Sequence, residues 1–128
     1  MYYKLLIVDD EEVFVKRLAK SLRRESYEVL VAGCAEEALK VLAENPVDVM
    51  LTDIRMPGMD GLELTNEVRK RYENTFVVVM TGHGDIKTAV DAIKAGASDF
   101  IQKPLCIDGV KSTIASAIES LNSKKAQE

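Results

Sequence analysis

The sequence has few of the residues that build metal clusters, disulfide frameworks or membrane spans. Its two cysteines, Cys34 and Cys106, lack the spacing of a metal site, and we expect buried thiols in a reducing compartment rather than a disulfide. The single histidine, His83, has no histidine partner for a metal and is expected to be a solvated loop residue. No apolar run approaches membrane-spanning length and no signal-peptide shape is present, so we expect a cytoplasmic protein without membrane attachment.

An excess of positive charge is also absent. The 17 basic and 21 acidic residues give a net charge of −4, which predicts no direct binding of nucleic acid. The 128 residues suit one domain with one core, and neither repeats nor linkers interrupt them. We therefore predict a single domain over residues 1–122, followed by a polar tail, residues 123–128, with fraying from Asn122 onwards.

Short apolar runs alternate with segments of helical period along the whole chain. The runs predict five strands, at residues 4–8, 29–32, 47–53, 76–80 and 99–102. Between and after them lie five predicted helices, the first two over residues 11–25 and 35–44. Asp60 caps the third helix, and Asp85 caps the fourth, which has an apolar stripe of Ile86, Ala89, Val90 and Ile93. The last helix carries the apolar residues Val110, Ile114, Ala117, Ile118 and Leu121. Five strand-helix units predict an α/β fold, a doubly wound parallel sheet with helices on both faces.

Four of the predicted strands end in residues that carry chemistry. Asp9 and Asp10 follow the first strand, Asp53 ends the third, Thr81 follows the fourth and Lys103 follows the fifth. The carboxyl ends of parallel strands meet at one edge of the sheet, where open α/β folds place their sites. Each residue also has a plainer interpretation, such as a helix cap for Asp9 or Asp10, or a surface lysine for Lys103. Together they predict one pocket with three carboxylates, a hydroxyl and an ammonium group.

This set of groups is suited to magnesium-assisted phosphoryl transfer. Close carboxylates repel by roughly 1 to 4 kcal/mol per pair, and a bound cation relieves that repulsion. Hard oxygen ligands beside a phosphate favour Mg²⁺. A carboxylate can then act as the nucleophile that forms an aspartyl phosphate, while the metal and Lys103 neutralise the transferring oxygens and Thr81 donates a hydrogen bond.

These residues resemble the receiver domain of two-component response regulators, and the run Thr81-Gly82-His83-Gly84-Asp85 looks most like receivers of transcriptional activators. The resemblance is carried by Asp9-Asp10, the stretch from Leu51 to Gly61, Thr81-Gly82, Ala95-Gly96-Ala97 and the stretch from Phe100 to Pro104. It implies a flavodoxin-like (βα)5 fold with strand order 2-1-3-4-5. It also implies that Asp53 is the phosphoacceptor and that Lys103 contacts the phosphoryl group. Asp10 would be a direct Mg²⁺ ligand with Asp9 beside it, and the backbone carbonyl of Arg55 would be a further ligand. Thr81 and Phe100 would form the switch pair, and the bond before Pro104 would be cis.

The resemblance further implies a signalling phosphoprotein rather than a metabolic enzyme. The chain would take a phosphoryl group from a histidine kinase, a phosphotransfer protein or a small phosphodonor, and would catalyse its own phosphorylation and dephosphorylation. The surface of the fourth helix, fifth strand and last helix would then change and regulate an output, transcription being one candidate. Two bulky residues near the acceptor, Arg55 and His83, are expected to slow hydrolysis of the phosphate. Phe100 also fits a core aromatic on a strand, and a phosphorylation-dependent homodimer stays open.

Other interpretations are weaker. An aspartate-nucleophile phosphatase usually needs a cap insertion that no connection here is long enough to form, and a flavin carrier needs a phosphate-binding loop where Asp9-Asp10-Glu11-Glu12 would repel phosphate. A binding module that has lost phosphorylation would not need every key side chain. The first predicted helix has a basic flank that is either a solvated face or a kinase-docking surface: Lys16, Arg17, Lys20, Arg23 and Arg24. We favour, slightly, a receiver cut from a larger regulator over a stand-alone one.

Overall fold

Strands and helices alternate along the chain in a computed structural model that describes residues 3–82, 86–103 and 106–126. The elements are β1 (Lys4–Val8), α1 (Glu12–Arg23), β2 (Glu28–Ala32), α2 (Ala35–Glu44), β3 (Val49–Asp53), α3 (Gly61–Arg71), β4 (Phe76–Thr81), α4 (Ile86–Lys94), β5 (Asp99–Gln102) and α5 (Ile107–Ala126). All strand pairs are parallel, and their order is β2-β1-β3-β4-β5. The predicted α/β class and strand order are confirmed.

The sheet is covered on both faces because its inner strands are apolar at nearly every position. Alternate side chains of a strand point to opposite faces, so β1 sends Leu5 and Ile7 into one cluster and Leu6 and Val8 into the other. The first cluster is completed by α1 and α5, and the second by α2, α3 and a small contribution from α4. Two helical layers therefore hold the central strands, and with them the strand ends, in fixed positions.

Local signals set the helix ends as predicted. The carboxylate of Asp60 caps α3 by accepting a hydrogen bond from the N–H of Glu63 at 2.9 Å. Gly96 has a φ of +113°, a left-handed conformation that suits glycine, and ends α4 with its N–H donating to Ile93. The cap expected from Asp85 and the bond before Pro104 lie outside the described residues.

Two expectations about burial are wrong, those for the cysteines and for Phe100. Cys34 is half-buried and Cys106 exposed, since both directly precede helices at the surface, and both are free thiols. The last helix, α5, extends to Ala126, and the Asn122 side chain accepts a hydrogen bond from the Tyr3 hydroxyl; fraying of the tail stays a prediction. Phe100 is 40% exposed rather than part of the core, because β5 is an edge strand.

The apolar stripe of α4 lies mostly at the surface. Its buried side chains are the small ones of Ala89 and Ala92, whereas Ile86, Val90 and Ile93 are exposed by 69%, 45% and 44%. The helix therefore packs closely on the sheet through alanines and leaves its large side chains available. Within the described part of the chain, no helix is both long and apolar enough to cross a membrane.

Candidate functional site

The carboxyl edge of the sheet brings together the five residues that the sequence singled out. Asp9 directly follows β1, Asp53 and Thr81 are the last residues of β3 and β4, and Lys103 directly follows β5. The register aligns Val8 with Thr52 and Asp53 with Met80, so these neighbouring strands end nearly level. The predicted convergence at one edge is thus present in the structure.

Three carboxylates form an acidic cluster at this edge. One oxygen each of Asp9, Asp10 and Asp53 lies within 4.8 Å of the others. Asp9 and Asp53 are buried, while Asp10 is exposed on the solvent side. At such distances the like charges repel, and the arrangement gives a cation three oxygen donors from one side.

Asp9 has one oxygen satisfied and one unsatisfied. Its Oδ1 accepts a hydrogen bond from the N–H of Glu11 at 3.0 Å, which supports the turn into α1. Its Oδ2 is buried and has no hydrogen-bond donor within residues 3–82, 86–103 and 106–126. Burial, reinforced by the charges of Asp53 and Glu11, raises the pKa of Asp9 above its ordinary value, against the Glu11 hydrogen bond and the charge of Lys103. Oδ1 thus supports the turn before α1, but the helix itself begins without a side-chain cap, so the helix-cap interpretation of Asp9 is not supported.

Lys103 is the cation of the pocket. Its Nζ lies 3.1 Å from Oδ2 of Asp53 and 3.8 Å from Oδ2 of Asp9. Its backbone N–H donates a hydrogen bond to the carbonyl of Thr81 at 2.7 Å. Burial lowers the pKa of Lys103, but the hydrogen bond to Asp53 and the charges of Asp53, Asp9 and Glu11 outweigh it, so the pKa is raised. Lys103 is therefore held as an ammonium group against the central carboxylate, which a simple surface lysine would not be.

Thr81 and Phe100 lie on the neighbouring strands β4 and β5. The Thr81 side chain is buried, and its hydroxyl reaches the carbonyl of Ile101 only at 3.5 Å, at the limit of a hydrogen bond. The Phe100 side chain is exposed. The hydroxyl is thus weakly engaged, and the aromatic ring is outside the core.

The loop between β3 and α3 (residues 54–60) packs unusually closely on the acidic strand. A Cβ on Gly61 would fall on the carbonyl oxygen of Asp53 and 2.7 Å from Cα of Ile54. The Gly61 N–H donates to the carbonyl of Ile54 at 2.8 Å, which closes the loop at its base. Sequence reasoning used Gly61 only as part of a motif and did not assign this contact; a glycine opening a helix directly after a turn was the available signal.

Other predicted residues are placed less completely. Arg55 is exposed in the β3–α3 loop, and His83 lies outside the described residues. On the basic flank of α1, the Arg23 guanidinium donates to the carbonyl of Val29 on the edge strand β2 at 2.9 Å. Arg23 therefore has a structural role besides any docking role, and the docking surface itself stays a prediction.

Comparison with known proteins identifies one family. Residues 5–115 match the response regulator receiver domain family. The NtrX-like response regulator of Rickettsia bellii is 42% identical over 94% of this chain and 26% of that protein, and PilR of Pseudomonas aeruginosa is 37% identical over 93% and 27%. The chain thus spans about a quarter of the length of these curated relatives.

Solved structures show the same fold. NtrX from Brucella abortus superposes with a TM-score of 0.92 at 35% identity, covering 98% of this chain and 29% of that one. A response regulator receiver domain protein from Clostridium thermocellum gives a TM-score of 0.87 at 32% identity, covering 98% and 99%. The chain belongs to the response regulator receiver domains of two-component signalling systems.

Proposed function

We propose that this chain is a phosphoryl-operated signalling switch with Asp53 as its phosphoacceptor. The observation that carries the proposal is the position of the Asp53 carboxylate, between the Lys103 ammonium group at 3.1 Å and the carboxylates of Asp9 and Asp10. A nucleophilic oxygen beside one cation and a cation-binding cluster is the arrangement that phosphoryl transfer requires. Receiver domains interact with histidine kinases or phosphodonors, and we propose the same phosphoryl sources here, in the cytoplasm.

The residues present fit a magnesium ion. The buried Oδ2 of Asp9 has no hydrogen-bond donor among the described residues, and the Lys103 ammonium group is 3.8 Å away, so a cation would supply a direct partner. Asp9, Asp10 and Asp53 would hold the ion with their side chains, and Arg55 with its backbone carbonyl. Mg²⁺, when bound, supplies charge neutralisation for the phosphoryl oxygens.

The chain's own residues account for the transfer. An Asp53 oxygen attacks phosphorus of a phosphohistidine or an acyl phosphate, a P–O bond forms, and the bond to the imidazole nitrogen or the acyl oxygen breaks with its electron pair leaving on that atom. Lys103 is placed to pair with the arriving phosphoryl oxygens, and Thr81 has a hydroxyl that its 3.5 Å contact with Ile101 hardly restrains. Both groups favour the phosphorylated state over the free one. The same site would later catalyse its own dephosphorylation with water as the attacking group.

The output follows from how Thr81 and Phe100 respond. If Thr81 moves toward the phosphoryl group, space opens that the exposed Phe100 ring can fill, and the surface of α4, β5 and α5 repacks. A shift from 1:99 to 99:1 needs about 5.5 kcal/mol of differential binding, which a few charge-assisted hydrogen bonds can supply. The exposed α4 stripe lies on that surface, so burial against an output domain or in a phosphorylation-dependent homodimer would respond to the switch. Transcription is the proposed output, since the relatives include the transcriptional regulatory protein GlrR of Escherichia coli.

Incubation with Mg²⁺ and acetyl phosphate, followed by intact-mass measurement, tests the proposal. We expect a gain of one phosphate that is absent in Asp53→Asn and absent without Mg²⁺. The matched control is Asp91→Asn, an identical change at an exposed position of α4, which should retain the gain. A wild-type protein that stays at its unmodified mass, or an Asp53→Asn protein that still gains phosphate, refutes the assignment.

A further inference from the structure

Gly61, the first residue of α3, lies directly on the main chain of the acceptor strand. A side chain of even one carbon would collide with the carbonyl oxygen of Asp53 and the Cα of Ile54. Both colliding groups are backbone atoms, so no rotation of a flexible side chain can relieve the contact. Any larger residue must push α3 away from Asp53.

The β3–α3 loop is held both to Gly61 and to the core, so a shift of Gly61 would displace the loop. The hydrogen bond from the Gly61 N–H to the Ile54 carbonyl joins the two ends of the loop, and the side chains of Ile54 and Met56 are buried in the core. Within α3, the buried Thr65 hydroxyl donates to the carbonyl of Gly61 at 2.7 Å. The backbone of Arg55 thus lies between two buried residues in a loop whose base is Gly61.

We propose that Gly61 is a positioning residue for magnesium binding and phosphoryl transfer. By allowing α3 to rest on the Asp53 main chain, it fixes the path of the loop that carries the Arg55 carbonyl relative to the Asp53 carboxylate. This inference rests on the proposed function, because Arg55 and Asp53 are ligands only if the site holds the ion. Gly61 itself contacts neither the ion nor the phosphoryl group.

A purely structural role predicts a different result. If Gly61 only helped the chain to pack, an alanine there would lower stability, yet the molecules that remain folded would bind Mg²⁺ normally. If it positions the loop, the folded molecules themselves lose affinity and reactivity. The affinity of the folded protein for Mg²⁺ and its phosphorylation rate at saturating Mg²⁺ therefore separate the two roles.

The experiment compares Gly61→Ala with Gly109→Ala. Gly109 lies in the first turn of α5, where the nearest described atom to an added Cβ, the Cβ of Cys106, would be 3.9 Å away, in ordinary contact. For Gly61→Ala we expect the Mg²⁺ Kd to rise at least tenfold, and the rate of phosphorylation by acetyl phosphate at saturating Mg²⁺ to fall at least tenfold. Gly109→Ala should match the wild type in both. Equal Kd and rate values in the two folded variants overturn the inference.

A second variant covers the case in which Gly61→Ala does not fold. Thr65→Val keeps the shape of the side chain and removes only the hydroxyl that holds the Gly61 carbonyl. We expect it to weaken Mg²⁺ binding about threefold, and an unchanged Kd there counts against positioning by this helix turn. If the wild type binds Mg²⁺ but takes no phosphate, the proposed function fails, whereas the Mg²⁺ titrations still decide the role of Gly61.

Discussion

The acidic cluster should make the metal-free protein less stable than its packing alone allows, and Asp9→Asn tests this directly. Asparagine keeps the shape of the side chain and an oxygen for the Glu11 N–H, but it removes a buried negative charge. At 4.8 Å, each carboxylate pair repels by about 1 kcal/mol in water and about 3.5 kcal/mol at an effective dielectric constant of 20. The opposing attraction of Asp9 to Lys103 acts over 3.8 Å. At the same dielectric constant that attraction is about 4.4 kcal/mol, which offsets the repulsion from Asp53 and part of the screened repulsion from Asp10. Because burial also disfavours the charge of Asp9, we expect Asp9→Asn to raise the free energy of unfolding by about 1 to 2 kcal/mol.

The assay is urea unfolding in EDTA and again in excess Mg²⁺. The wild type should gain stability with Mg²⁺, by about 2.7 kcal/mol at a hundredfold excess over Kd, whereas Asp9→Asn should gain much less. The pKa of Asp9 is raised, so its charge costs stability above that pKa, and the cost fades as pH falls toward the ordinary value of 3.8. The advantage of the variant in EDTA should therefore shrink toward acid pH. Asp91→Asn should change neither curve, and a destabilised Asp9→Asn protein in EDTA would refute the reasoning.

Three further predictions concern single side chains. Lys103→Met should slow phosphorylation at least tenfold and destabilise the metal-free protein. Because the pKa of Lys103 is raised, the greater unfolding free energy of the wild type should persist below pH 10.5 and disappear at higher pH, as measured by unfolding curves. Ser26→Gly should stabilise the protein by about 1 kcal/mol in thermal unfolding, since Ser26 has a φ of 67° after α1, and an equal or lower Tm would contradict this. His83→Ala should speed loss of the phosphate in a mass-spectrometric time course, and decay within minutes that the change slows would count against shielding.

The strands could be predicted from the sequence because burial on both faces leaves an uninterrupted apolar run. Phe76 to Met80 is such a run, and β4 covers it. The pocket followed from the same logic, since a polar residue such as Asp53 at the end of a buried parallel strand can only lie at the carboxyl edge. The order of the strands did not follow from periodicity, and only the family resemblance predicted it.

Exposure was harder to predict because it depends on what surrounds an element. A stripe such as Ile86, Val90 and Ile93 looks the same in sequence whether the sheet or a partner covers it, and here neighbouring alanines take the buried positions. Phe100 has the composition of a core residue, but β5 has no strand on its outer side. The contact of Gly61 was missed because a close approach of two main chains leaves no pattern in the sequence beyond the glycine itself.

The features that weaken this site in its free form are the ones that would let it act as a switch. A phosphoryl group can shift the conformation only through contacts that differ between the two states, so the free site needs polar groups with incomplete partners. In the part of the chain that the structure describes, Asp9 has a buried oxygen without a hydrogen-bond donor, and Thr81 has a buried hydroxyl at the limit of hydrogen bonding. A fully satisfied pocket would be more stable, but it would gain little from a metal ion or a phosphate. The polar groups with incomplete hydrogen bonding at the carboxyl edge would therefore supply the difference in interaction free energy between the free and phosphorylated states on which the proposed signalling depends.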